Sequence, residues 1–137
     1  MSHVLEHIGQ DPDIFNNIIK ELYRICKNNA LINIHVPHPR HDDFITDPTH
    51  VRPVTVAMLE LYSKANNEVW AIMRAANSPL GLIHNVNFEV VSSNLVVDER
   101  IRKKIETGEI KRDELQFYID HHNNIVKQID IKWRVIK

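Results

Sequence analysis

Two short stretches hold most of the side chains that can do chemistry. The first, "SHVLEHIGQDP", carries Ser2, His3, Glu6 and His7. The second, "HVPHPRHDDFITDPTHVRP", carries His35, His38, His41, Asp42, Asp43, Asp47, His50 and Arg52. Imidazoles titrate near neutral pH, so His7 or His38 can serve as a general base. Imidazoles with carboxylates also suit zinc and other first-row divalent ions. The spacing matches no metal motif, however, and the loop's prolines restrict how it can wrap an ion, so no metal ligand is assigned. A divalent-metal-binding His/Asp loop stays as an alternative. Bland roles compete at every position. His and Asp are common turn-formers and surface residues in polar loops. His3 and His7 suit loop solvation or helix capping as well as catalysis. Asp47 can form an Asx-turn, and Arg52 can pair with it as a brace or meet a carboxylate substrate.

Periodicity suggests how these side chains are held. Asp11-Pro12 reads as a helix start, with Ile14, Ile18, Leu22 and Ile25 at helical spacing and Asn28-Asn29 as its end. "ALINIHVP" reads as a buried strand, and residues 38–54 as a long polar loop. A helix capped by Thr55 comes next, with a bend at Asn66-Asn67, then a turn at Ser78-Pro79 and Gly81. "NVNFEVVSSNLVVD" suggests a strand, residues 98–123 two helices broken at Gly108, and "IVKQIDIKWRVIK" a strand with one apolar face. Trp70, Trp133, Phe88, Phe117 and Tyr118 fall in periodic segments and are expected in the core, and His121-His122 at a surface helix end.

Composition narrows the function classes. The 137 residues carry a formal net charge of -1, so bulk charge points to neither nucleic acid nor an anionic membrane. The basic run Arg100–Lys104 alternates with acids and reads as a solvated helix face. Cys26 is the only cysteine, which excludes an intrachain disulfide and a cysteine zinc cluster; a buried inert thiol is expected. Neither a signal peptide nor a membrane-spanning apolar run is seen, and a cytoplasmic location is expected.

"VLEHIGQDP" followed by "ELYRICKNNALINIHVP" resembles the middle of class I S-adenosylmethionine-dependent methyltransferases, of the methyltransferase type 11-like kind. In that family a strand ends in a V-L-E-H-like segment, a helix closes with E-x-x-R-x-L-K-P-G-G, and the next strand ends near V-P. Glu21, Arg24 and Lys27 match, while Asn28-Asn29-Ala30 stand where Pro-Gly-Gly is usual. The two closing strands resemble the antiparallel pair that ends the family's sheet, with residues 98–123 as an insertion between them. The chain has three glycines and no G-x-G, so the family's Gly-rich cofactor loop has no counterpart here.

The resemblance implies an α/β fold: residues 1–137 as one partial, C-terminal half of a Rossmann-like methyltransferase domain. Its small mixed sheet would hold a parallel strand plus the antiparallel closing pair, with flanking helices. It implies Ser2, His3 and Glu6 at the cofactor's methionine end, and His7 and His38 as catalytic candidates. His35, His41, Asp47, His50 and Arg52 would face substrate. S-adenosylmethionine is the implied cofactor, though this chain is not expected to bind it alone. The expected protein is a truncated or split second half, not competent alone for methyl transfer. The family's fourth, fifth, seventh and sixth strands are neighbours in that order, so residues 30–36 would present an apolar edge. That edge implies homo-oligomerisation or docking with a missing N-terminal half. A non-catalytic dimeric interaction module is the other class of function in play.

Overall fold

The computed structural model describes residues 1–137. Asp11 caps the first helix, α1 (Pro12–Ile25), by accepting from the Asp13 amide at 2.8 Å, and Pro12 occupies the first turn. The stripe on α1 buries Phe15 and Ile19, while Ile14 and Ile25 stay exposed. Asn29 turns the chain with φ 62°, a conformation asparagine tolerates. Strand β1 (Leu31–Pro37) comes next, then the polar loop with its single-turn helix α2 (Asp42–Ile45).

Thr55 caps α3 (Val56–Glu60), and Ser63 caps α4 (Lys64–Met73). The break therefore falls at residues 61–63 rather than at Asn66-Asn67. Asn67 is buried inside α4, its amide donating to Leu61 O at 3.0 Å and accepting from Leu82 N at 3.2 Å. It ties α4 to the short α5 (Leu80–Ile83). The remaining elements are β2 (Phe88–Val97), α6 (Glu99–Glu106), a 3-10 turn (Arg112–Glu114), α7 (Leu115–His121) and β3 (Val126–Val135). Gly108, at φ 79°, lies between α6 and the 3-10 turn.

The sheet has the order β1-β3-β2. Ile34 faces Ile131 and His35 faces Asp130 across β1 and β3, and Phe88 faces Val135 across β2 and β3. Both pairings are antiparallel, which corrects the expectation of a mixed sheet. The reason is lateral: β1 and β2 run in the same direction but each touches only β3. The sole parallel element is a one-residue bridge, Ser2 to His35, on the free side of β1.

Alternation along β3 puts Ile129, Ile131, Trp133 and Val135 on the core face. There they meet Ile34 and Val36 of β1, Phe15 and Ile19 of α1, and Leu59 of α3. Trp133 stacks on Phe88 at 3.8 Å between ring centres, with Tyr62 edge-on at 6.0 Å. The opposite face carries Asn33, His35, Asp130 and Lys132; with Ser92 and Ser93 these line a polar hollow of about 370 Å³.

Two core expectations fail. Phe117 is exposed and stacks on His121 one turn along α7, because α7 lies off the core; Tyr118 of α7 and Trp70 of α4 are only half-buried. Cys26 is half-buried at the end of α1 rather than enclosed. The α6–α7 region instead clasps the polar loop. Arg40 donates to the carbonyls of Ile119 and Asp120 near the end of α7, where cations suit the free carbonyls. Asn124 accepts from the Asp42 amide at 2.8 Å. No helix is long and apolar enough to cross a membrane.

Candidate functional site

Residues 1–7 run beside the free edge of β1. His35 N donates to Met1 O, and His3 N to His35 O, both at 2.9 Å. His3 sits at φ 51° and turns the chain away from the edge. A tight turn, closed by His7 N donating to Val4 O at 3.1 Å, places Glu6 in the interior. The Glu6 carbonyl accepts from Val51 N at 2.8 Å, which staples the end of the polar loop onto the opening segment.

Glu6 is fully buried, and neither carboxylate oxygen has a hydrogen-bond partner. His3 Nδ1 lies 3.3 Å from Oε1 but is not aligned for a hydrogen bond. His7 and His50 are half-buried, their ring centres 4.5 Å apart, and Phe44 stacks on His50 at 5.1 Å. Glu6, His7 and His50 each offer one donor atom, and the three atoms lie within 4.8 Å of one another.

Neighbouring groups fix both rings. His50 Nδ1 is 2.7 Å from Phe44 O, and a carbonyl only accepts, so Nδ1 carries the proton. The Thr49 hydroxyl donates to Asp47 Oδ1 at 2.6 Å, so it accepts from His7 Nδ1 at 2.9 Å. In the neutral rings both Nε2 lone pairs are then free. Asp47 also accepts from the Thr49 amide at 2.8 Å, an Asx-turn. The Thr49 hydroxyl, and then its amide, hold the Asp47 carboxyl below its ordinary pKa.

The other sequence candidates are dispersed. Ser2 is exposed at the β1 edge. His35 Nδ1 bonds Asp130 at 2.7 Å, Gln128 donates to the same Asp130 oxygen, and His3 Nε2 meets Gln128 at 3.2 Å. His41 is buried; its Nδ1 accepts from the Asp43 amide, so Nε2 donates to Asp98 at 3.1 Å. Burial, then Arg40 and His41, push the His38 imidazole below its ordinary pKa. Arg52 forms no pair with Asp47: its guanidinium lies 3.9 Å over the Phe15 ring, and its Nε is buried without a partner. Burial lowers the Arg52 pKa.

Thr49, Gln128, Asp130 and Asp98 contact these candidates and are not among the residues the sequence singles out. Thr49 stands two residues after Asp47, the Asx-turn spacing, and Asp98 precedes a helical run as a cap would. Asp130 and Gln128 have no such local signal, since their partners come from β1 and the opening segment. No family model matches the chain, and no curated protein or solved structure matches it at a significant level.

Proposed function

We propose that the chain forms the substrate-side half of an S-adenosylmethionine-dependent methyltransferase-type site and is not competent alone for methyl transfer. The observation that supports this reading is the strand order. β3 runs antiparallel between β1 and β2, and Ser2 bridges His35 in parallel on the other side of β1. The family's fourth, fifth, seventh and sixth strands have the same order and directions. On this reading Ser2 and His3, which are exposed, would face the methionine end of the cofactor, while Glu6 is enclosed behind them and would not reach it. Bound there, S-adenosylmethionine would supply an activated methyl group for transfer to the acceptor. His7 or His38 takes the acceptor's proton; the depressed His38 pKa keeps that imidazole neutral near pH 7. Positioning supplies most of the rate in such a transfer. His35 and His50 are the substrate-side candidates with a ring nitrogen free, because His41 is committed to Asp98.

A second reading, a non-catalytic dimeric interaction module, draws on α1. Ile14, Ile18, Leu22 and Ile25 line an apolar groove of about 380 Å³ on its outer face.

Calorimetry with S-adenosylmethionine tests the first reading, on this chain and on a fusion placing a class I methyltransferase cofactor half ahead of Met1. The chain alone is expected to give no micromolar binding, and the fusion to bind. Micromolar binding by the chain alone contradicts the half-site. A fusion that melts as one cooperative unit yet does not bind contradicts the methyltransferase frame.

A further inference from the structure

We infer that Glu6, His7 and His50 bind a first-row divalent transition-metal ion such as Zn(II). The inference does not rest on the methyltransferase reading. Three observations converge. The donor atoms already lie within 4.8 Å of one another. The Nδ1 atoms of both histidines are engaged, by Thr49 and by Phe44 O, which leaves Nε2 as the free lone pair on each ring. This is how ligating histidines are usually oriented, with the second nitrogen held by an outer partner. Third, Glu6 is completely buried with both oxygens lacking a hydrogen-bond partner. Buried carboxylates are paired or coordinate a metal. The one other cationic candidate nearby outside the cluster, His3 Nδ1 at 3.3 Å from Oε1, belongs to an exposed side chain and is not aligned for a hydrogen bond.

Two imidazoles and one carboxylate select the class of ion. Nitrogen donors suit Zn(II), Co(II), Ni(II) and Fe(II), whereas Mg(II) and Ca(II) favour oxygen donors. Three protein donors leave at least one position open to water or to a ligand oxygen, as in catalytic rather than structural zinc sites. Asp47 Oδ2 lies 3.8 Å from His50 Nε2, so a second carboxylate stands beside that donor atom without belonging to the three-residue cluster. Asp47 and Thr49 are positioning residues, acting through the His7 ring. Of the His/Asp loop, only His50 belongs to the cluster; the loop's other histidines lie outside it.

The test is calorimetric titration of chelator-treated protein with Zn(II), with Co(II) absorption as a second measurement. One ion per chain is expected, with a rise in melting temperature and no comparable binding of Mg(II). Glu6→Gln and His50→Gln are each expected to weaken Zn(II) binding at least tenfold. Thr49→Val should weaken it about tenfold, as loss of an outer-shell partner does, while His121→Gln on the surface leaves it unchanged. In Co(II) spectra the ligand variants lose the visible band of the wild type. Wild-type protein that binds no Zn(II) at micromolar concentration overturns the inference. So does binding of equal strength in folded Glu6→Gln and His50→Gln, which would mark an adventitious ion only.

Discussion

Replacing Asp98 by Asn should cost stability at neutral pH and nothing in strong acid. Asp98 Oδ1 accepts from the Arg100 amide and Nε, each at 2.9 Å, and Oδ2 accepts from His41 at 3.1 Å. The Arg100 side chain, with smaller help from its amide and from His41, outweighs burial and holds the carboxyl at about 2 against an ordinary 3.8. A shift of that size corresponds to about 2.4 kcal/mol at neutral pH. Arg100 is 70% exposed, so solvent screening reduces the expected contribution to about 1–2 kcal/mol. Asn keeps the shape and the helix-capping oxygen but not the charge.

A depressed carboxyl pKa stabilises the fold fully above the unfolded-state value and loses that contribution as pH falls through the folded-state value. The gap between wild type and Asp98→Asn should hold from about pH 7 to about pH 4 and be mostly gone by about pH 2. Urea unfolding followed by tryptophan fluorescence, repeated at stepped pH, measures it. A gap that stays constant between about pH 5 and about pH 2, or none at about pH 7, would refute the assignment of the stabilisation to the Asp98 charge.

Burial pushes the Tyr62 phenol up to about 12, so ultraviolet titration should show one tyrosine ionising late. Stability should fall as pH rises from about 10 through about 12, because the unfolded chain releases that proton first. Trp133→Ala should cost about 3–5 kcal/mol in urea unfolding, since the indole is fully buried against Phe88 and Tyr62. Light scattering at micromolar concentration should report a dimer or larger if the β1 edge left open beyond its Met1–His3 contacts, or the α1 groove, is an interface; a monomer would count against both.

Local pattern made much of the fold legible. The Asp11-Pro12 start of α1, the Thr55 cap and the one-sided alternation of β3 all follow from neighbours along the chain. Sequence places a break at Asn66-Asn67 because paired asparagines resemble a helix end. Asn67 is instead held in α4 by bonds to Leu61 and Leu82, which sequence does not display. Phe117 departs from its expected core position because periodicity marks a helix face without saying whether anything covers it. In the site, the chemical character of Glu6, His7 and His50 is readable along the chain, but their meeting is not. It depends on the Val51–Glu6 backbone bond and on the contacts of Phe44 that orient His50. His41 shows the converse: its residue type suggests a ligand, and its partner Asp98 makes it a brace.

The half-site claim is tested most directly by amide NMR during titration with S-adenosylmethionine to millimolar concentration. Weak shifts are expected, confined to residues 2–7 and to His35–His38, at the free end of β1. Shifts located elsewhere, or none in either segment, would contradict the half-site.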